Sequence, residues 1–410
     1  MASSADMNKQ LLLIIKHILH GSTDQIKDLE KVDYAALLEG ALEHGVANTI
    51  ADFVCAQKKA PDSVKQQFRK QWAMIVKQQT LCDLALRELN GELDKHKIRG
   101  LFLKGVLLKA FYPQVYHRSM SDIDVFMEEQ NMEAVQAIMG RGGYENGKFG
   151  QDNHYEYMRQ EMVKVEYHPE LVALESDYGR RIFTGIHPEA VSIADHMEIW
   201  HHTIPLDGHE YARQLEPEYH YLYVIMHMMN HFLTAGTGIR SLMDVWVMNR
   251  HYAGSWDRGR IEALLADFGL LNFEKYALAL THKWFDLEDL PYLPKEIQEA
   301  VLTNYEDYIL ESGTYGNKER SLVKQMKNQA SGMAKLKYMA GRFFLPYEQM
   351  KEEYPVVAKC PILLPLLWPY RVFDMFRKRG KSTRQILKLV LNADQKRVDR
   401  QQALMDAMME

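Results

Sequence analysis

Two aspartates in the run Ser121-Asp122-Ile123-Asp124-Val125 have the spacing that most directly suggests chemistry. On a strand, residues i and i+2 point to the same side, so Asp122 and Asp124 would project together while Ile123 and Val125 pack into a core. Their Cα atoms would lie about 7 Å apart, where two carboxylates repel each other unless cations lie between them. Hard divalent ions such as Mg²⁺ prefer oxygen ligands, so this run predicts a metal site.

A second motif, Leu103-Lys104-Gly105-Val106, stands where a predicted strand passes into a helix. A glycine at such a turn lets the backbone approach a phosphate, and a helix N-terminus offers free N–H groups. Lys104 adds a cation beside them. The motif therefore predicts a phosphate-binding turn upstream of the two aspartates.

A third acidic residue lies in the alternating run VKVEYH, which is typical of a strand. Its apolar face carries Val163, Val165 and Tyr167, which leaves Glu166 and His168 together on the opposite face. A third carboxylate on a neighbouring strand would complete a set able to hold two metal ions and orient an attacking hydroxyl.

In combination these motifs resemble the bacterial uncharacterised nucleotidyltransferase family, within the polymerase-β-like nucleotidyltransferase superfamily. The core is also similar to that of nucleotidyltransferase toxins of the abortive-infection type. The resemblance covers roughly residues 30–270 and rests on LKG at 103–105, Tyr112, Arg118, SDID at 121–124, EYH at 166–168, LEPE at 215–218, His227, His231 and GIRSLMD at 238–244.

The resemblance implies a role for each matching position. Asp122, Asp124 and Glu166 would be catalytic and would ligate Mg²⁺ or Mn²⁺. The NTP would be bound by Lys104, Gly105, Arg118 and Ser121. Candidate substrate-facing residues are His168, His227, His231, Arg240 and Asp244. The chain departs from the wider superfamily in having Val106 after Gly105, where Gly-Ser or Gly-Gly is usual, and in a longer separation of Gly105 from Asp122.

Each candidate also has a structural alternative. The alternatives are a solvated strand end for Asp122 and Asp124, an ion pair of Glu166 with Lys164 or Lys148, charge neutralisation of the aspartates by Lys104 and Arg118, and an intrahelical ion pair of Arg240 with Asp244. His227 and His231 could bind a metal with His220, but helical histidines are more often partly buried and hydrogen-bonded.

The reaction implied by the resemblance is Mg²⁺-dependent transfer of a nucleoside monophosphate from an NTP to a hydroxyl, with release of pyrophosphate. A sugar or glycan intermediate, a tRNA end and a protein side chain all remain open as acceptors. Two other functions stay open. One is a catalytically degenerate nucleotide-binding partner or regulator, and the other is a metal-dependent hydrolase using the helical histidines.

Apolar periodicity indicates the elements that would position these residues. We expect an α+β fold, mostly helical overall, with a small mixed-sheet nucleotidyltransferase core embedded between helical regions. Predicted strands are Arg99–Leu103, Asp122–Met127, Tyr155–Met158 and Met162–His168. Predicted helices include a roughly 50 Å helix from Asp62, Gly105–Phe111, Asn131–Met139, Pro217–Ala235 and Ile239–His251.

The predicted division of the chain has five parts. They are a helical region at 1–97, the core at 98–175, a connecting segment at 176–215, core-packing helices at 216–290 and a C-terminal helical region with a basic tail at 291–410.

The composition is that of an ordinary globular protein. Hydrophobic residues make up 47% and charged residues 26% of 410 residues, which excludes disorder and a small disulfide-stapled scaffold. A net charge of −5 argues against a surface that binds nucleic acid all over. The three cysteines are far apart in the chain and form no metal-binding motif, so we expect a reducing cytoplasm.

The C-terminal part carries a concentrated positive charge. Residues 371–400 contain ten Lys and Arg against three Asp. The apolar run Cys360–Tyr370 comes directly before them, and its prolines Pro361, Pro365 and Pro369 would interrupt a helix. It is too short to span a bilayer, so we expect no transmembrane segment. A solvated basic helix is the simpler interpretation, and contact with anionic membrane or nucleic acid is the alternative.

Overall fold

The computed structural model shows a chain made of two compact units, Met1–Tyr315 with Met408–Glu410 and Gly316–Ala407. The first unit contains the sheet and every candidate site residue named above. The five-part division predicted from the sequence stays a prediction. The structure describes residues 4–22, 26, 29, 32–145, 154–160, 162–234, 236–287, 297–313, 331–392 and 394–409.

Helices precede the sheet in the first unit. They are α1 (Ser4–Leu19), α2 (Tyr34–Glu43), α3 (Ala47–Ala56) and α4 (Asp62–His96). Helix α4 runs for 35 residues through Gly91 without a break, as the periodicity predicts. It ends at His96, and the next residue, Lys97, caps it with a left-handed φ of 57°. Its buried face includes Cys82, Leu89 and Leu93, which pack into the core of the sheet.

The six-stranded sheet is mixed. Its strands are β1 (Gly100–Phe102), β2 (Ile123–Phe126), β3 (Tyr155–Arg159), β4 (Val163–His168), β5 (Thr203–Pro205) and β6 (Ala212–Leu215), in the spatial order β3-β4-β2-β1-β6-β5. The pairs β2–β4 and β1–β6 are parallel, and the other pairs are antiparallel. The predicted α+β class is confirmed, and the segment 176–215 adds two strands to the sheet.

One side of the sheet is apolar and forms the main core around the site. Val125 and Ile123 of β2, and Val165 and Tyr167 of β4, are buried there with α4 and with α6 (Met132–Arg141). The predicted period-two alternation of both strands is therefore confirmed. Because successive residues face opposite sides, the polar residues between them lie on the other side of the sheet.

The remaining helices of the first unit follow the sheet strands or connect them. They are α5 (Gly105–Leu108), α7 (Asp177–Arg181), α8 (Ile193–His196), α9 (Pro217–Leu233), α10 (Ile239–His251), α11 (Arg258–Asp267), α12 (Leu271–Phe285) and α13 (Glu299–Ser312). Helix α9 is buried along most of its length and contacts β6. It brings a row of tyrosine and histidine side chains into the first unit.

The described helices beyond residue 330 are α14 (Gly332–Phe343), α15 (Tyr347–Glu353), α16 (Pro355–Lys359), α17 (Leu364–Asn392) and α18 (Gln395–Met409). The expectation that prolines interrupt the apolar run is wrong from Leu364 onward, because α17 continues through Pro365 and Pro369. Pro365 lies in the first turn, where its missing N–H costs no helical hydrogen bond. Pro369 removes one such bond from a helix of 29 residues.

In the described part of the chain, no helix is long and apolar enough to cross a membrane. Cys55, Cys82 and Cys360 are free thiols.

Candidate active site

The two central carboxylates are neighbours in the sheet. Asp124 of β2 and Glu166 of β4 are register partners in a parallel pair of strands. Val125 and Val165, one position away, point into the apolar core. The carboxylates of Asp124 and Glu166 therefore lie side by side on the opposite face, which is the arrangement that the sequence predicts.

His168 joins these two carboxylates. Its Nε2 atom lies 3.0 Å from Oδ1 of Asp124 and 3.6 Å from Oε2 of Glu166. One ligand atom from each of the three residues lies within 4.8 Å of the others. Since carboxylate oxygens only accept, the Nε2 atom carries the proton when it bridges them. Asp124, Glu166 and His168 therefore form a compact group, which we call the acidic centre.

Lys104 neutralises one side of the acidic centre. Its Nζ atom lies 3.3 Å from Oδ2 of Asp124 and beside the Tyr223 hydroxyl. Burial alone would lower the pKa of the Lys104 ammonium, but the charges of Asp124 and its neighbours outweigh burial and raise the pKa above its usual range. The backbone of Lys104 has φ 46° and ψ −114°, a conformation that favours glycine. Strain of this kind is found mainly where function requires it.

Lys164 neutralises the other side. Its ammonium forms an ion pair with Glu166 and lies 3.8 Å from both Asp122 and Glu156. The sequence offers Lys164 as a partner for Glu166, and this pair is present. The other partner that it offers, Lys148, lies outside the described residues.

Asp122 lies at the edge of the acidic centre. It accepts a 2.9 Å hydrogen bond from the Ser121 hydroxyl. Burial and the negative charge of Asp124 raise the pKa of Asp122, although Lys104 opposes them. Burial acts on Asp124 in the same direction, but there the Lys104 ammonium and the hydrogen bond from His168 prevail and lower the pKa. The pKa values of the two aspartates of the motif are therefore shifted in opposite directions.

The charge balance around the acidic centre favours a cation. Four carboxylates, those of Asp122, Asp124, Glu156 and Glu166, face the ammonium groups of Lys104 and Lys164. Among these described groups, two negative charges remain at neutral pH when the histidines are neutral. One divalent cation would balance them. Carboxylate oxygens are the ligands that suit Mg²⁺ or Mn²⁺, so the carboxylates of this group fit the metal that the resemblance implies.

Arg118 and Gly105, predicted to contact the nucleotide, are packed against each other. The guanidinium of buried Arg118 donates two 2.8 Å hydrogen bonds to the Asp244 carboxylate, which also accepts from Tyr112. A Cβ atom on Gly105 would lie 2.6 Å from Nη1 of Arg118. The absence of a side chain at Gly105 is therefore explained by Arg118. Helix α5 is followed directly by a 3₁₀ turn at Lys109–Phe111, and phosphate binding at Gly105 and Arg118 stays a prediction.

The histidines of α9 lie on the side of the acidic centre. His227 is near enough to Lys104 and Asp124 to respond to their charges, and burial together with Lys104 lowers its pKa well below the usual value. The rings of His227 and His231 are 4.3 Å apart in an edge-to-face contact. Arg240 contacts Ser119 at 3.2 Å, so α10 holds the loop before β2 through both Arg240 and Asp244.

Sequence reasoning did not single out three residues of this neighbourhood. His154 lies 3.6 Å from Glu166, Glu156 is the register partner of Glu166 on β3, and Tyr223 lies beside Lys104. The predicted hairpin register could have identified Glu156. The spacing of Tyr223, four residues before His227 on the same helix, could have identified Tyr223.

A further set of histidines lies outside the acidic centre. His187, Glu189 and His196 bring one ligand atom each within 4.8 Å of one another. His187 Nε2 lies 2.8 Å from the carbonyl oxygen of Asp267, which ties this segment to the end of α11. A measurement of metal binding must therefore separate this cluster from Asp124.

The fold and the acidic centre together define a mixed-sheet protein with paired carboxylates on adjacent strands. A family model described as "Uncharacterised nucleotidyltransferase" matches residues 30–286, well over half of the chain. The chain belongs to this family, which confirms the family resemblance of its motifs.

One similar solved structure is that of an antigenic nucleotidyltransferase-like protein from Paracoccidioides brasiliensis. It is 13% identical, the match covers 51% of this chain and 93% of that chain, and the TM-score is 0.27. No curated protein is similar enough to match the chain.

Proposed function

We propose that the chain transfers a nucleoside monophosphate from an NTP to a hydroxyl acceptor and releases pyrophosphate. One observation carries this proposal: Asp124 and Glu166 are adjacent on neighbouring strands, with ligand atoms within 4.8 Å of each other and of His168. Membership of a nucleotidyltransferase family supports the same reaction class. The negative charge left over around these residues supports a requirement for Mg²⁺ or Mn²⁺.

Asp124, Glu166 and Asp122 would hold the cation, which would supply charge neutralisation for the triphosphate when bound. Lys104 lies against Asp124, where its ammonium can neutralise charge on the leaving pyrophosphate. The oxygen of the acceptor hydroxyl forms a bond to the α-phosphorus as the bond to the pyrophosphate oxygen breaks. Glu166 accepts the proton of the acceptor hydroxyl, and His168 holds the carboxylates of Glu166 and Asp124 in place.

The acceptor can be identified by following the label. We would incubate the protein with an extract of its own cells and an NTP labelled either at the α- or at the γ-phosphate. Transfer predicts that the α-label enters one acceptor while the γ-label is released as pyrophosphate. Label in glycan, tRNA or protein fractions distinguishes the three acceptor classes, and Asp124→Asn protein gives the background.

A degenerate nucleotide-binding partner is the main alternative. It would bind NTP without transferring label from either position. Retention of all three predicted carboxylates around one centre favours an enzyme, because binding alone does not require a third carboxylate to orient a hydroxyl.

A separate histidine-based hydrolase is less favoured. His227 is close enough to Asp124 for each to affect the pKa of the other. The helical histidines therefore belong to the neighbourhood of the acidic centre, and one site accounts for both sets of residues.

A further inference from the structure

Helix α17 in the second unit presents an exposed face that begins apolar and ends basic. Counted along the helix, Leu366, Tyr370, Phe373, Arg377, Arg384, Lys388 and Leu391 are separated by three, four or seven residues. These spacings place them on one side of an α-helix. All seven are exposed, so we call this set the α17 face.

The apolar half of the α17 face is highly exposed to solvent. Leu366 is 71% exposed and Phe373 65% exposed, and Ile362, in the turn just before the helix, is 83% exposed. Single exposed apolar residues are ordinary, but a continuous row of large ones marks a contact surface. The other side of the helix is occupied, because Arg371, Thr383 and Val390 are buried there and α14 packs against α17.

The basic half gives the surface its charge. Arg377, Arg384 and Lys388 continue the same side of the helix and are all exposed. Aliphatic and aromatic side chains next to a cluster of cations match the interface of a bilayer, where acyl chains lie under anionic headgroups. A nucleic acid would complement the cations but gives no partner for Ile362 and Leu366.

We propose that the α17 face docks on the surface of an anionic phospholipid bilayer. The apolar half enters the boundary between headgroups and acyl chains, and the basic half contacts the headgroups. The contact is peripheral, since no described helix is long and apolar enough to cross a membrane. It does not depend on the proposed reaction, because it involves none of the residues of the acidic centre.

Sedimentation of the full chain with vesicles tests this proposal. The protein should bind vesicles containing phosphatidylglycerol and remain unbound with pure phosphatidylcholine. Arg384→Glu with Lys388→Glu should weaken binding by at least about thirtyfold, since each basic residue near the surface contributes about 1 kcal/mol and the new carboxylates add repulsion. Leu366→Ser with Phe373→Ser should weaken it about tenfold through lost apolar contact. Raised salt should weaken the binding of the wild type.

Matched variants outside the α17 face should bind as the wild type does. Lys58→Glu with Lys59→Glu reverses two exposed charges elsewhere, and Met74→Ser removes an exposed apolar side chain from α4. Circular dichroism would establish that every variant folds.

Three results would overturn the proposal. The first is failure of the wild type to bind phosphatidylglycerol vesicles. The second is loss of binding in the charge variant but not in the apolar variant, which would reduce the α17 face to an electrostatic patch. The third is binding to single-stranded RNA or tRNA, without vesicle binding, that the charge variant abolishes.

Discussion

The candidate active site in the first unit and the α17 face in the second depart from the usual distribution of side chains in opposite directions. The first unit buries charged groups, among them Arg118, Asp124 and Asp244. The second exposes large apolar groups, among them Leu366 and Phe373. Buried charge and contiguous exposed apolar surface are the two informative exceptions in a folded protein. The proposed chemistry therefore lies in the first unit and the proposed contact with a bilayer in the second.

The two regions also differ in where their interaction partners lie. Buried charges in the first unit have partners within the chain, as in the Arg118–Asp244 and Lys104–Asp124 pairs. Under the proposal above, the partner of the α17 face is the surface of an anionic bilayer. A change that affects the buried charge pairs of the first unit without affecting the α17 face, or the reverse, therefore tests this comparison.

The largest expected effect is on the stability of the first unit. Asp244→Asn would leave the Arg118 guanidinium buried without its carboxylate, which costs about 3–5 kcal/mol. Hydrogen exchange should show faster opening around α10 and the loop before β2, with residues 331–392 unchanged. As a control, Asp257→Asn alters an exposed cap. Equal exchange in Asp244→Asn and wild type would mean that the pair does not hold this loop.

Lowering the pH from 6.5 to 5.5 should reduce the stability of the first unit and leave that of the second unit unchanged. Burial lowers the pKa of His44, His117 and His220 to about 4, whereas an unfolded histidine titrates near pH 6.5. Because the unfolded chain takes up these protons first, stability falls as the pH drops from 6.5 toward 4. The loss is about 1 kcal/mol per histidine between pH 6.5 and 5.5.

All 17 histidines precede residue 316, so the second unit is an internal control. Hydrogen exchange measured from pH 6.5 to 5.5, after correction for the intrinsic exchange rate, should change in the first unit only. Equal losses in both units would contradict this assignment.

Glu166→Gln should separate turnover from binding. The amide keeps the shape of the side chain but cannot accept the acceptor proton, so turnover should fall about a hundredfold while NTP affinity changes little. Vesicle binding through the α17 face should be unaffected. Unaltered turnover would leave Glu166 as the ion-pair partner of Lys164 only.

The smallest expected effect concerns the backbone of Lys104. Lys104→Ala and Lys104→Gly both remove the ammonium, and both should weaken NTP binding less at high salt than at low salt. The two variants differ in how well residue 104 tolerates its φ of 46°, because glycine adopts this angle without strain and alanine does not. The glycine variant should therefore be about 1 kcal/mol more stable than the alanine variant in urea denaturation. Equal stability would show that the backbone at Lys104 is not strained.

The parts of the fold that the sequence predicts depend on local periodicity. The alternation at 163–168 and at 122–125 gives the faces of β4 and β2, and the helical period gives α4, because these patterns repeat over neighbouring residues. They also predict that Asp124 and Glu166 share a face.

The features of the structure that the sequence does not predict are contacts between residues far apart in the chain. Arg118 and Asp244 are 126 positions apart, and no local pattern pairs them. The same holds for the contact of Gly105 with Arg118, and for the place of β6 beside β1. Each depends on tertiary packing, which brings together residues that no local pattern links.

The central claim is that Asp124 and its neighbours bind the metal and the nucleotide together. Isothermal titration of a non-hydrolysable NTP analogue, with and without Mg²⁺, tests it most directly in the wild type, Asp124→Asn and the control Asp62→Asn. To remove the cluster of His187, Glu189 and His196, all three proteins would be made with His196→Gln as the common background, and the wild type here is the protein with that change alone. We predict Mg²⁺-dependent binding in the wild type and the control, and its loss by at least about a hundredfold in Asp124→Asn. Equal, metal-dependent affinity in all three proteins would contradict the account, because the nucleotide would then bind elsewhere.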